Sequence, residues 1–277
     1  MLWLLACTST PPAEEPIGAD AGSTAPPSAP GAGLQLATSH LPTVALELEA
    51  KDPTGTDWSR TFYSTDLASA HMHLISRDQM CPLHIHRVTN EATIVLSGSP
   101  DVLQVWSEDG EQVDAQARMQ AGAMVASPPF TGHEWDNNSQ ELQANLVLAY
   151  PPFDGNLYMR PGDARMDAGT EPFDYHPDAD VDAFVSSEAP FDRKDLPALD
   201  DHISRVFVAD SYTLPASTDA HAVIYAVSGE GQLIATDLEQ GVRPGMLLVF
   251  QRPEDVTFRA SSEAPLTLYV FEPPIKG

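Results

Sequence analysis

Four residues in this chain have the side chains and spacing to hold a metal ion: His84, His86, Glu91 and His133. His84 and His86 are separated by a single residue, so on a β-strand both imidazoles fall on one face. Glu91 follows after a short turn-like gap within HIHRVTNEATIVLSG, a stretch that Gly98 closes. His133 belongs to a second segment, GAMVASPPFTGHEWDN, running from Gly122 to Asn137. Three imidazoles and one carboxylate make a mixed nitrogen and oxygen donor set. Such a set suits one divalent transition metal and accepts Fe, Mn, Ni, Zn, Co or Cu. The donors define a site for a metal and leave the substrate open.

Other polar and sulfur-bearing residues read differently. His71 and His73 in AHMHL share a strand face and are expected on a pocket wall or the surface rather than as ligands. Cys81 lies three residues before His84 and reads as a buried structural thiol. Trp135 falls on the same strand face as His133 and is expected to wall a cavity, whereas Glu134 faces away. Met72, Met80, Met119 and Met124 read as gap-filling core, and His221 as a partly exposed structural histidine. The chain contains no nucleophile elbow, phosphate-binding glycine loop or CxxC pair.

Strands must position these residues. Hydrophobic residues make up 42% of the 277, enough for a sizeable core. Gly, Pro and short alternating runs recur, which predicts a mostly β chain. Strands are expected at 44–50 (VALELEA), 70–76, 84–86, 92–97, 102–106, 124–127 and 142–150, with turn signals such as SGSPD and SEDG between them. A second series is expected at 202–209, 222–228, 232–236, 246–250, 256–259 and 266–271. From Pro151 to about Leu199 the chain is rich in Pro, Gly and Asp and reads as an irregular linker pinned by Phe153, Tyr158 and Phe173.

The two series resemble a duplicated unit. Gly245 stands for Gly122, and the places of His133 and Asn137 then hold Val256 and Ala260. With Gly229 matched to Gly98, the places of His84, His86 and Glu91 hold Pro215, Ser217 and Ala222. The second unit keeps the apolar pattern without a ligand set.

On these motifs the chain resembles the cupin family, as a two-domain bicupin with one intact centre. The spacing His84-X-His86, four residues, Glu91, six residues, Gly98 matches the family's first motif, although its leading glycine is absent. Gly122, five residues, Pro128, then His133, three residues and Asn137 match the second, with Gly132 directly before the histidine rather than separated from it by two residues. The resemblance implies an all-β fold of two tandem jelly-roll barrels preceded by a disordered N-terminal tether. It divides the chain into a tether at 1–38, a metal-binding domain at 39–150, a linker at 151–198 and a degenerate domain at 199–277. It also implies that His84, His86, Glu91 and His133 ligate the metal, leaving two adjacent positions for water, dioxygen or a chelating substrate.

Composition narrows the partners. Forty acidic and 14 basic residues give a net charge of −26, a field that repels nucleic acid and anionic membranes. The expected partner is a small molecule. LLAC at Leu4 to Cys7 resembles the lipobox of bacterial lipoproteins. From Thr8 to Gly33, 22 of 26 residues are Pro, Ala, Gly, Ser or Thr, the composition of a flexible spacer. Together they predict an extracytoplasmic protein anchored to a bacterial envelope through lipid on Cys7. Two cysteines, Cys7 and Cys81, are too few for a disulfide framework.

Three functions fit these residues. The first is a dioxygenase-type oxidoreductase, as the resemblance to aromatic-ring and flavonol dioxygenases implies. The second is a non-oxidative isomerase or decarboxylase using the metal as a Lewis acid. The third is a surface protein that binds metal or a small ligand without turnover. For free imidazoles, metal would be released as pH falls through about 6.

Overall fold

The computed structural model describes residues 34–52, 59–139, 141–153, 155–160, 162–175 and 189–275. Cys7 and the first 33 residues of the tether expected over 1–38 lie outside them, while residues 36–38 belong to a strand. After β1 (Leu36–His40) and helix α1 (Leu41–Lys51), a front unit is built from β2 (Ser59–Ser64), β3 (Ser69–Ile75), β4 (Gln79–Ile85), β5 (Asn90–Ser97), β6 (Asp101–Glu108), β7 (Glu111–Arg118), β8 (Met124–Ser127), β9 (Gly132–Asn137) and β10 (Gln143–Tyr150). Three short strands follow: β11 (Leu157–Tyr158), β12 (Phe173–Tyr175) and β13 (Phe191–Leu196). The rear unit comprises β14 (Ile203–Val208), β15 (Ser211–Leu214), β16 (Ser217–Ser228), β17 (Gly231–Ala235), β18 (Leu238–Val242), β19 (Met246–Arg252), β20 (Val256–Ala260) and β21 (Leu266–Phe271). No helix among the described residues is long and apolar enough to cross a membrane.

Each unit is a pair of sheets. In front, β8-β5-β10-β3 lie side by side in one sheet and β4-β9-β6-β7 in the other; behind, the orders are β19-β16-β21-β14 and β15-β20-β17-β18. Counting strands from β3 in one unit and from β14 in the other, both give 6-3-8-1 and 2-7-4-5. That order is the double Greek key of a jelly roll. The repeated topology explains why one apolar pattern occurs twice in the sequence. Single strands extend the larger sheets at both edges: β12 beside β8 and β2 beside β3, β1 beside β19 and β13 beside β14. The 151–198 stretch thus supplies strands to both units, through β11 on β4, β12 on β8 and β13 on β14.

Alternation along these strands assigns the two faces of each larger sheet. Ala70, Met72, Leu74, Ala92, Ile94, Met124, Leu146 and Leu148 of the front sheet join Ile203, Val223, Tyr225, Leu247, Tyr269 and Phe271 of the rear sheet in one buried cluster. The two large sheets therefore pack on each other through these residues. The opposite parity points into each barrel. Behind, it is apolar, with Val206, Val208, Ala222, Ile224, Leu248 and Phe250 in a second core. In front, it carries His71, His73, Glu91, Thr93 and Asn145. The inward residues of the front unit are left to line a site because the outward ones already supply a core.

Three local readings are corrected. Val44–Ala50 lies within α1 rather than a strand. Its alternating apolar residues also satisfy a helical stripe at 41, 44, 45 and 48, and Pro42 opens the first turn. His221 is buried, its Nδ1 2.8 Å from the Tyr63 hydroxyl. Met80 is 49% exposed, while Met72, Met119 and Met124 are fully buried.

Candidate metal centre

Antiparallel pairing of β4 with β9 sets His84 opposite His133, and the register shifts between Cys81 and His84. Such a bulge re-aims the side chains that follow it. His86 lies one residue beyond the end of β4. Glu91 enters from β5 in the facing sheet, where it pairs with Ser127 on β8 and Ala149 on β10. Both sheets of the front barrel thus contribute to one point. His84, His86 and His133 each offer a ligand atom, and these atoms lie within 4.8 Å of one another. Ring centroids are 4.2 Å apart for His84 and His133, 5.2 Å for His84 and His86, and 5.3 Å for His86 and His133.

Backbone carbonyls orient the rings. Nδ1 of His84 donates to Pro82 O at 2.8 Å, Nδ1 of His86 to Gly155 O at 3.0 Å, and Nδ1 of His133 to Thr131 O at 3.4 Å. A carbonyl only accepts, so each Nδ1 carries the proton and each Nε2 turns a lone pair toward the shared centre. The Glu91 carboxylate lies 3.1 Å from His86 Nε2 and 3.5 Å from His133 Nε2. The Thr93 hydroxyl, two residues along β5, donates to Glu91 Oε1 at 2.8 Å.

Electrostatics at this point is self-opposing without a cation. Burial, followed by the neighbouring His84, pushes His133 down to about 3. Burial likewise lowers His84. Burial works to raise Glu91, but His133, His86 and His84 outweigh it and hold the carboxyl well below its ordinary range. The imidazole Nε2 atoms and an ionised carboxylate therefore face each other in a buried site. A divalent metal among the three clustered imidazoles would satisfy their lone pairs, and these three residues fit one, with the Glu91 carboxylate beside two of them.

The centre opens into a cavity of about 190 Å³. His71, His73 and Trp135 line it, as does Cys81. Burial, reinforced by Glu91 and Glu134, pushes the Cys81 thiol up to about 12, so it is not a nucleophile at neutral pH. Burial lowers His71 to about 4, against the pull of Glu91. The 151–160 segment crosses the pocket: Phe153 packs against His86 at 4.8 Å and His71 at 5.8 Å, and Tyr158 lies 6.0 Å from His84. Sequence reasoning missed Ser59, Thr93, Asn145 and Asn156 in the wall. Strand parity was the available signal for two of them, since Thr93 is two residues from Glu91 and Asn145 pairs with His73. Ser59 and Asn156 had none.

The rear barrel has no such centre. Its strands pair Leu214 with Val256 as β4 and β9 pair His84 with His133, and Ala222 with Phe250 as Glu91 pairs with Ser127. The positions equivalent to His84 and His86 are therefore Leu214 and Ala216, one residue earlier than the sequence register, because the start of β16 carries a register shift between Ser217 and His221. Leu214, Ala222 and Val256 are all fully buried in the apolar core. A larger open groove of about 620 Å³ lies on the rear unit beside Gln232, Arg243 and Arg259. Among the described residues, the three histidines of the front barrel are the only cluster suited to a metal.

Residues 63–150 match the cupin family model, and this stretch is a cupin domain. No curated protein sequence matches the chain. Among solved structures, the chain is similar to a salicylate 1,2-dioxygenase from Pseudaminobacter salicylatoxidans, with a TM-score of 0.60 and 11% identity over 86% of this chain and 84% of that one. A variant of that enzyme in complex with gentisate gives a TM-score of 0.59 and 14% identity over 88% and 83%. A cupin 2 conserved barrel domain protein from Leptotrichia buccalis gives 0.54 and 10% over 77% and 87%. At these identities the likeness extends to the fold.

Proposed function

We propose that the front barrel binds one divalent transition metal through His84, His86, Glu91 and His133, and that the protein is a dioxygenase-type oxidoreductase acting on a small molecule. The observation that carries this reading is the convergence of three imidazoles, each locked by a backbone carbonyl, on a buried ionised carboxylate. When bound, such a metal supplies Lewis acidity and a centre for oxygen chemistry. The surrounding residues hold and shield it. Thr93 fixes one Glu91 oxygen, and the carbonyls of Pro82, Gly155 and Thr131 set the imidazole tautomers. Trp135 and Phe153 limit the water that reaches the pocket. The fold similarity to aromatic-ring dioxygenases is consistent with this reading.

Metal analysis of protein purified without added metal is the first test, with about one equivalent expected. His84→Ala should abolish metal retention; unchanged metal content in that variant would refute the site. Oxygen uptake by Fe(II)-loaded protein over a panel of catechols and flavonols then tests the activity. Turnover in the absence of oxygen would assign a non-oxidative reaction instead.

A further inference from the structure

Among the described residues, the wall of the metal cavity contains no permanent cation. Beyond the proposed ligands, Ser59, Thr93, Asn145 and Asn156 supply its hydrogen-bonding groups, and Trp135, Val147 and Phe153 its apolar surface. No lysine or arginine is among the described lining residues. The two additional histidines, His71 and His73, share one face of β3 two positions apart, so charge on either would oppose charge on the other. Glu91 already offsets one charge of a divalent metal, and a single ionised oxygen on the substrate offsets the second. Any further anion would enter the cavity without a counter-ion, and burying an unpaired charge is costly. The net charge of −26 opposes its approach as well. At about 190 Å³ the cavity is also smaller than the roughly 300–1,000 Å³ usual for drug-sized ligands.

From this geometry we infer that the substrate is a small single-ring or smaller molecule that meets the metal through one ionised oxygen and carries no other anionic group. Distal carboxylates, phosphates and sulfonates are excluded. This inference rests on the metal site proposed above and deepens it by naming the substrate class.

Three probes of nearly one shape test it: catechol, 4-methylcatechol and 3,4-dihydroxybenzoate. Each is titrated by calorimetry, without oxygen, into full-length protein loaded with Co(II), after metal analysis has confirmed retention. Catechol and 4-methylcatechol should bind within about threefold of each other, and 3,4-dihydroxybenzoate at least tenfold more weakly. Ser59 lies on the edge strand β2 with its side chain at the exposed rim, so Ser59→Arg adds a cation where packing tolerates it. That variant should improve 3,4-dihydroxybenzoate relative to catechol by at least fivefold. Equal binding of 3,4-dihydroxybenzoate and catechol to the unaltered protein, or no binding of any probe to the Co(II)-loaded form, overturns the inference. Failure to retain Co(II) overturns the metal site itself and is seen before any titration. Tight, selective binding of catechol without later oxygen uptake supports the substrate class and removes only the oxygenase assignment.

Discussion

Imidazoles buried beneath a pocket mouth give up their charge before any metal arrives. His133 is 1% exposed and burial sets it near 3, against about 6.5 in an unfolded chain. The unfolded chain therefore takes up the proton first as pH falls below about 6.5, and the folded state loses stability from there down to its own value. For metal-free protein, His133 alone accounts for about 2 kcal/mol lost between pH 7 and pH 5. Thermal melts of chelator-treated protein should fall over that interval, and a flat profile would show that His133 is not held neutral. In the folded protein a proton reaches His133 only below this window. Metal should consequently remain bound at pH 5, lower than the release near pH 6 expected of free imidazoles. Dialysis at stepped pH followed by metal analysis measures it. Thr93 tests the support behind the ligands. Thr93→Val keeps the shape but removes the donor to Glu91, and metal affinity measured against a competing chelator should drop about tenfold.

Strands that carry these residues were legible in the sequence where alternation was strong. β8 and β21 fall at 124–127 and 266–271, the bounds their apolar runs suggested. β7 was not legible, because its residues are mostly exposed and polar and leave no period to read. The three histidines that cluster were legible because the spacing of motif residues survives in the sequence. The wall was less so, since Ser59 and Asn156 reach the pocket only through sheet pairing and the strap over its mouth. Gly98 and Gly229 were matched as equivalents, and both take positive φ, +85° and +79°. Their surroundings differ. A Cβ on Gly98 would meet Gln143 Cα at 3.2 Å, whereas on Gly229 it would lie 1.8 Å from Pro265 O. Gly98→Ala should cost about 1–2 kcal/mol from backbone strain, and Gly229→Ala at least about 3 kcal/mol because the backbone itself must move. Urea titration of the two variants ranks them, and equal losses would mean that the close approach at Pro265 relaxes freely.

At the scale of the molecule, the front site depends on a barrel that holds no metal-ligand set of its own. The two large sheets share one apolar core, so neither retains a covered face without the other. Polar contacts cross the same boundary: Tyr269 donates its hydroxyl to Gly122 O at 2.8 Å, and Tyr63 meets His221. The N-terminal β1 pairs with β19 of the rear unit before the chain enters the front one, so the two units are interleaved along the sequence as well as packed. Unfolding should therefore be a single cooperative event. The tryptophans provide the means to check this, because none of the four occurs after residue 135 and both described ones, Trp106 and Trp135, are buried in the front unit. Tryptophan fluorescence thus follows the front barrel, while far-ultraviolet circular dichroism follows the strands of both. The two melting curves should coincide. Added metal should raise both midpoints by the same amount, because free energy from binding in front stabilises whatever unfolds with it. A fluorescence transition that rises with metal while part of the dichroism signal stays in place would show that the rear barrel melts independently, and that the shared core is too weak to couple them.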